Sequence, residues 1–226
     1  MSRTLARSNL HHRKALQRLP LGVSSNFRYW GPDKTIYARR GRGCRLWDID
    51  DNEYIDYRLG YGPSILGYAD PRVDEAARAG IEVGGVFALS TEREYEVARR
   101  ISKMVPAAEL VRFSNSGTEA VMAAVRLAKA YTGKDSHIIV EGGYHGVFDA
   151  VLWYVDFDDW DPSMGDPPVE ADSYGVPVMM KKLAYFTPLN DANYLEDLLK
   201  KHHNSIGAFL IEPMMGNCCS ITATRE

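Results

Sequence analysis

The sequence predicts an α/β fold built around a mainly parallel β-sheet. Between residues 110 and 212, short apolar runs alternate with longer stretches of helical periodicity. The short runs are apolar at consecutive positions, which is typical of strands covered on both faces of a sheet. Two connections that follow apolar runs are rich in glycine and small polar residues. In parallel α/β sheets, ligands bind at such connections, at the carboxyl ends of the strands.

Composition and charge exclude several classes of protein. The 226 residues are 45% hydrophobic and 25% charged, as in globular chains large enough to bury a core. The net charge is −3 and both signs are interleaved, so we expect no nucleic-acid partner. No apolar run approaches the roughly 20 residues that cross a bilayer, and the N-terminus lacks a signal-peptide pattern. The three cysteines have no metal-ligand spacing. We therefore expect a cytoplasmic protein without a membrane segment or a metal site.

The first part of the sequence predicts a helix and then antiparallel strands. Residues 1–19 are basic, with leucines at helical spacing, and are followed by Pro20, which cannot continue a helix. Residues 35–57 alternate between polar and apolar and contain turn residues at 41–43 and 51–52. This pattern predicts an antiparallel hairpin or meander.

Two further helices are predicted before residue 106. Residues 59–73 form a glycine-rich loop, at the end of which Asp70-Pro71 can start a helix. Residues 91–105 place apolar side chains on one helical face. Thr91 precedes Glu94 by three residues, which is the spacing of a capping box.

The second part of the sequence has the rhythm of strands and helices that predicts the parallel sheet. The predicted strands are 110–113, 137–140, 183–186 and 208–211, and the predicted helices are 118–131 and 191–203. Residues 153–177 interrupt the rhythm with four prolines and six aspartates. We interpret them as a long loop, and loops of this length are usually functional or mobile.

The turn 114–118, Ser-Asn-Ser-Gly-Thr, leads from a predicted strand into a helix. Backbone N–H groups at a helix start have no partner within the helix and carry the positive end of its dipole, so they favour an anion such as a phosphate. Gly117 allows close approach of a ligand, and Ser116 and Thr118 add hydroxyl donors. The alternative is an ordinary N-cap, in which Ser116 or Thr118 only caps the helix. The turn alone leaves both interpretations open.

A second glycine-rich connection, EGGYHGVFD at residues 141–149, follows the strand 137–140. Tyr144 could stack on a flat ligand there, with His145 beside it. The alternative is that Tyr144 anchors the loop and His145 is solvated. Glu212 ends the last predicted strand, so its carboxylate either points into the same crevice or is a surface acid.

Four segments of the sequence, in order, resemble a known family. They are RLWDIDDNEYIDYRLGYGPSILGYADPRV, VRFSNSGTEAVMAAVRLAKAYTGKD, EGGYHGVFD and AFLIEPMMGN. The family is that of the class III aminotransferases, which depend on pyridoxal 5′-phosphate (PLP), and the sequence is most similar to the glutamate-1-semialdehyde 2,1-aminomutase branch. The resemblance extends over about residues 19–216. It implies the fold type I of PLP-dependent transferases, as in aspartate aminotransferase.

The resemblance also implies which residues bind the cofactor. They are Ser116, Gly117, Thr118, Tyr144, His145, Glu212 and Asn217. The first three would bind the cofactor phosphate, and Tyr144 would stack on the pyridine ring. Glu212 matches a family glutamate near the cofactor that can pair with a substrate-site arginine, and Asn217 matches a polar residue close to the ring.

The segment LGVSSNFR, residues 21–28, resembles the substrate-binding segment of the family. Arg28 would bind a substrate carboxylate with both arms of its guanidinium, and Ser25 would supply a nearby hydroxyl. The alternative for Arg28 is a surface arginine. Tyr61 stands where the aminomutase branch usually has tryptophan, and this departure puts the aminomutase's own substrate in question.

The family's catalytic residues are not found in this sequence. The resemblance places the lysine that forms a Schiff base with PLP, and the aspartate that keeps the pyridine nitrogen protonated, after residue 226. We therefore expect an N-terminal portion of such an enzyme, inactive by itself, with uncovered apolar faces. Residues 1–75 would form an N-terminal segment of helix and antiparallel strands, and residues 76–226 would form part of the large PLP-binding domain.

The predicted function is that of an aminotransferase, which moves an amino group from an amino donor to a carbonyl acceptor. One alternative is intramolecular amino transfer of the aminomutase type. Another is a PLP-fold remnant without catalysis that acts as a binding module. A third is an unrelated α/β phosphate-binding protein, although the sequence contains neither G-x-G-x-x-G after its first strand nor a Walker motif. The resemblance further implies a homodimer.

Overall fold

The computed structural model describes residues 3–155, 157, 160–161 and 165–224. The chain divides into two compact units, Met1–Glu92 and Arg93–Glu226. The predicted α/β fold with a parallel sheet is confirmed, and the sheet lies in the second unit.

The first unit contains the predicted antiparallel meander. Its elements are α1 (Ala6–Ala15), β1 (Ala38–Arg42), β2 (Arg45–Asp48), β3 (Glu53–Ile55) and α2 (Pro71–Glu82), with short 3₁₀ turns at Pro20–Gly22 and Asn26–Arg28. The strands pair in the order β1-β2-β3. The turn between β2 and β3 is stabilised by the buried Asp48, whose Oδ1 accepts from the backbone N–H groups of Asp50 and Asn52, each at 2.9 Å.

Helix α1 is shorter than the predicted helix over residues 1–19, of which 1–2 lie outside the described residues. It ends at Ala15, and the N–H groups of Gln17 and Arg18 donate to carbonyls three residues back. Such tightened turns are common where an α-helix ends, because the last carbonyls have no partner one turn further on.

Helix α2 begins at Pro71, as predicted, and α3 (Glu92–Met104) lies within the predicted helix 91–105. Asp70 caps α2 by accepting a hydrogen bond from the backbone N–H of Arg72 at 3.0 Å, and Pro71 is the first helical residue. Neither helix has a buried residue in the described structure. Val73, Ile81 and Tyr95 are exposed, whereas Ala98 and Ile101 are partly buried.

The parallel sheet of the second unit has the strand order β7-β4-β8. Its strands and helices are α4 (Gly117–Thr132), β4 (Ser136–Val140), β7 (Ala184–Thr187), α5 (Ala192–His202) and β8 (Ile206–Leu210). All residues of β4 are buried, because β4 is the central strand of the sheet. The core beside β4 includes Val125, Trp153, Phe186 and Leu210.

Two expectations about strands are wrong. Residues 110–113 form no strand, because a strand needs a hydrogen-bonded neighbour and no described residue pairs with them; Leu110 is 95% exposed. Within the predicted loop 153–177, β5 (Trp153–Val155) and β6 (Val169–Ala171) form an antiparallel pair. Residues 156, 158–159 and 162–164 of that loop lie outside the described residues. A final short pair, β9 (Met214–Met215) and β10 (Ile221–Thr222), was not expected from the sequence.

Candidate cofactor site

The start of α4 combines a cap with free donors. Ser116 is the N-cap residue, and its Oγ accepts from the backbone N–H of Glu119 at 3.2 Å. The Glu119 carboxylate in turn accepts from the backbone N–H of Asn115 at 2.7 Å. The N–H groups of Gly117 and Thr118 have no acceptor among the described residues. The cap and the anion site are therefore compatible, since the cap uses only part of the donors at this helix start.

Gly117 is exposed, and a Cβ added to it would meet no atom within 4 Å. Its backbone does not require a glycine by conformation either, because its φ is not in the left-handed region. The side of Gly117 on which a Cβ would lie is therefore open among the described residues.

The loop 141–149 lies directly against this helix start. The backbone N–H of Val147 donates to Thr118 Oγ1 at 3.2 Å. A Cβ on Gly146 would lie 2.7 Å from Thr118 Oγ1 and 2.8 Å from its Cα, and Gly146 has a φ of +103°. Only glycine fits here without displacing α4. The two glycine-rich connections that the sequence singles out therefore lie side by side.

A cavity of ≈ 200 Å³ opens beside the loop and is lined in part by Tyr144, His145 and Asn217. His145 is buried, and its Nε2 atom has no partner among the described residues. Burial lowers the pKa of His145, although the nearby charge of Glu212 acts in the opposite direction. A lowered pKa keeps the imidazole neutral near pH 7, so one ring nitrogen is an acceptor and the other a donor.

Glu212 connects the two segments that border this cavity. Its Oε1 accepts from the backbone N–H of Tyr144 at 2.8 Å, and its Oε2 accepts from the backbone N–H of Gly216 at 3.1 Å. On the same side, the thiol of Cys218 lies 3.5 Å from the carbonyl of Gly142. Glu212 thus fixes the loop that carries Tyr144 relative to the segment that carries Asn217. The sequence predicted that Glu212 lies at the carboxyl end of a strand, but it did not predict the two hydrogen bonds that Glu212 accepts from Tyr144 and Gly216.

The predicted substrate residues belong to the first unit. Arg28 and Tyr61 line one cavity of ≈ 460 Å³, and the Tyr61 hydroxyl donates to the carbonyl of Phe27 at 2.9 Å. Ser25 is not among the residues that line this cavity; its carbonyl accepts from the N–H of Arg28 at 2.9 Å. A further cation, Arg58, lines the same cavity. The only sequence signal for it is its position three residues before Tyr61.

The sequence profile of the family "Aminotransferase class-III" matches residues 29–226. The chain is 44% identical over 205 residues to glutamate-1-semialdehyde 2,1-aminomutase of Methanothermobacter thermautotrophicus, covering 91% of this chain and 47% of that enzyme. It is 38% identical over 222 residues to the enzyme of the same name from Archaeoglobus fulgidus, covering 98% of this chain and 51% of the relative.

The chain belongs to the class III aminotransferase family.

Solved structures agree with this assignment. An omega-transaminase from Sphaerobacter thermophilus matches with a TM-score of 0.89 and 33% identity, over 97% of this chain and 50% of that one. A structure described as a transaminase with PLP bound matches with a TM-score of 0.90 and 31% identity, over 99% of this chain and 51% of that one. The predicted PLP-dependent transferase fold is confirmed. This class III aminotransferase chain spans about half the length of the relatives it matches.

The family implies PLP as the cofactor, and the residues present fit it. Two free N–H groups at the start of a helix match a phosphate, and the adjoining cavity offers an aromatic ring and a neutral histidine with an unpartnered nitrogen. No group of three or more metal-ligating side chains occurs among the residues that the structure describes. None of the described helices has the length and apolar character of a membrane span.

Proposed function

We propose that this chain carries the cofactor-binding residues of a PLP-dependent aminotransferase that moves an amino group between an amino compound and a keto acid or aldehyde. The observation that carries the proposal is the pair of free N–H groups of Gly117 and Thr118 at a helix start that contacts the loop bearing Tyr144 and His145. When bound, PLP supplies an electron-accepting ring for the negative charge that develops on the substrate carbon.

Different residues of this chain would then contact different parts of the cofactor. Gly117 and Thr118 would donate to the phosphate, and the Ser116 hydroxyl would stay engaged as the helix cap. Tyr144 would lie against the ring, held there by the contact of its backbone N–H with Glu212. Asn217 would contribute a polar group from the opposite wall of the cavity.

Substituting Gly117 by alanine tests the phosphate site. The added methyl group meets no atom of the described chain, so the fold should tolerate it, but it would crowd a bound phosphate. Overpacking of this kind costs roughly 1–3 kcal/mol, so we expect PLP to bind about 5- to 150-fold more weakly. Pyridoxal, which lacks the phosphate, is the control ligand, and its affinity should not change.

Equal losses for PLP and pyridoxal would show that the substitution disturbs the loop rather than the phosphate contact. A Thr132→Val protein serves as a reference, because Thr132 lies at the opposite end of α4. Its affinity for PLP should equal that of the unaltered protein. If G117A binds PLP as tightly as the unaltered protein does, the phosphate site lies elsewhere.

We propose further that this chain alone carries out no transamination. No lysine lines the cavity beside Tyr144 among the described residues. Of the two lysines that stand two residues before a strand of the sheet, Lys134 donates to the carbonyl of His203 at 2.6 Å and Lys182 lines a different cavity. Borohydride treatment in the presence of PLP, followed by peptide mass spectrometry, should find no lysine that carries the reduced cofactor. Stoichiometric labelling of one lysine would contradict this proposal.

Aminomutase activity is the second candidate, and the names of the two relatives favour it. An aminomutase needs only one substrate, whereas a transaminase needs a separate amino acceptor. Incubating the protein produced from its complete reading frame with glutamate 1-semialdehyde, with and without a keto acid, separates the two. Turnover without the keto acid would support the aminomutase; turnover that depends on it would support the transaminase. A protein that binds PLP but turns over in neither assay would support the binding-module alternative.

A further inference from the structure

The cavity of the first unit contains two guanidinium groups. Its walls include the aromatic side chains Trp30, Tyr37, Tyr61 and Tyr68 and the cations Arg28 and Arg58. At ≈ 460 Å³ it has the size of a small-molecule site. All of these residues belong to one compact unit of the chain.

Arg58 is held in this cavity by aromatic rings. Its Cζ atom lies 4.8 Å from the centroid of the Tyr61 ring and 5.4 Å from the centroid of the Trp30 ring. Contact with aromatic faces leaves the N–H edges of a guanidinium available for a carboxylate. Among the described residues, no carboxylate forms an ion pair with Arg58 or with Arg28.

Among the described residues, Asp56 is the only acid that lines the cavity, and its carboxylate is already engaged. Asp56 is buried, and its Oδ1 accepts from the backbone N–H of Arg58 at 2.8 Å while its Oδ2 accepts from the Tyr68 hydroxyl at 2.7 Å. The Asp56 carboxylate therefore anchors the backbone of Arg58 and leaves its guanidinium free to bind a ligand. Two guanidinium groups and one carboxylate leave the cavity with an excess positive charge.

The backbone that carries Arg58 is strained. Leu59 and Tyr61 have φ values of 49° and 67°, which are costly for residues with a Cβ. The turn is closed by hydrogen bonds from the N–H of Tyr61 to the carbonyl of Arg58 at 2.7 Å and from the N–H of Gly62 to the carbonyl of Leu59 at 3.0 Å. Strain of this kind persists where the surroundings fix it, and it clusters at ligand-binding sites. Here it directs Arg58 and Tyr61 to the same cavity.

We propose that Arg58 is a specificity-determining residue, a second carboxylate-binding group beside Arg28 that selects ligands with two carboxylates. A ligand with two carboxylates would place one anion against each guanidinium group. A ligand with a single carboxylate would leave one of the two guanidinium groups without an anion. The substrate class, acidic amino acids and their keto acids, rests on the proposed function; the binding of a dicarboxylate does not.

Isothermal titration of the protein with glutarate and with valerate tests the proposal without cofactor or turnover. The two acids have the same carbon chain and differ in one carboxylate. A charge-assisted hydrogen bond at the second carboxylate should make glutarate bind about 10- to 100-fold more tightly. Arg58→Gln should abolish this preference. Arg42→Gln is the matched control, because Arg42 is exposed on β1 and outside the cavity, and it should retain the preference.

Equal affinities for the two acids, or an Arg58→Gln protein that keeps the full preference, would overturn the proposal. If Arg58→Gln fails to fold, NMR of the unaltered protein gives the answer. Addition of glutarate should then shift the side-chain Nε–Hε signals of both Arg28 and Arg58. An Arg58 signal with the same chemical shift before and after the addition would contradict the proposal. The PLP titration of the Gly117 variant is independent of these measurements, so failure of one proposal is distinguishable from failure of the other.

Discussion

The buried histidine of the central strand should make the stability of the protein strongly dependent on pH. His137 is fully buried in β4, and its Nε2 atom lies 2.8 Å from the carbonyl of Ala150. Its Nδ1 atom has no partner among the described residues. Burial, reinforced by the positive charge of Lys129, lowers the pKa of His137 from 6.5 to about 4.

The direction of the effect follows from the lowered pKa. The unfolded chain binds a proton at His137 below about pH 6.5, whereas the folded protein binds it only near pH 4. The contribution of His137 is therefore fully present above pH 6.5 and is lost as the pH falls towards 4. One pKa unit corresponds to about 1.4 kcal/mol, so the loss over this window is about 3 kcal/mol.

Urea unfolding between pH 7.5 and pH 4, for the unaltered protein and for His137→Gln, measures this contribution. Glutamine can still donate to the Ala150 carbonyl but does not titrate. Protonation of carboxylates affects both proteins alike, so the difference between their free energies of unfolding isolates His137. We expect that difference to change by about 3 kcal/mol across the window. His203→Gln, which removes an exposed histidine, should follow the unaltered protein.

Parallel curves for the unaltered protein and His137→Gln would refute the reasoning. Such a result would mean that the folded protein accommodates the charged imidazole, through rearrangement or water, at little cost. An NMR titration of the His137 ring gives the same answer directly, since the argument requires its midpoint to lie well below that of an ordinary histidine.

Two further substitutions test the contacts around the candidate cofactor site. Gly146→Ala should destabilise the protein by roughly 1–3 kcal/mol because its Cβ would overlap Thr118, as measured by thermal unfolding. Gly165 has a similar positive φ, but a Cβ added to it meets no atom within 4 Å, so Gly165→Ala measures the cost of backbone strain alone. An equal loss of stability in the two variants would show that overlap with Thr118 contributes nothing. Glu212→Gln should accelerate hydrogen exchange at the amide of Tyr144 because one charged acceptor is lost, with the amides of β4 as the internal reference. Unchanged exchange would show that Glu212 does not hold this loop.

The sequence was sufficient for features that depend on neighbouring residues. The start of α4 was predictable because the N-cap residue, Ser116, and the glycine that follows it are adjacent in sequence. Strand β4 was predictable because a central parallel strand is apolar at nearly every position. Residues 110–113 have the same apolar character but no hydrogen-bonded neighbour among the described residues. A strand depends on its partner as well as on its own composition, so the local pattern could not distinguish the two.

The contacts that the sequence missed join residues far apart in the chain. Glu212 accepts from an amide 68 positions earlier, and no local pattern signals a carboxylate that binds two backbone donors. Arg58 is similar, because its role depends on the ring of Trp30 and on a strained turn at Leu59. Both are consequences of tertiary packing, which residue spacing does not encode.

The two candidate sites differ in how readily evolution can change them. The proposed phosphate site would rely on the backbone N–H groups of Gly117 and Thr118, which are present in any sequence that caps α4 and keeps the glycine. The cavity of the first unit relies on the side chains of Arg28, Arg58 and Tyr61, each of which a single substitution can replace. Cofactor binding can then persist while substrate choice changes. Relatives named as an aminomutase and as an omega-transaminase both match this chain, as such a separation would allow.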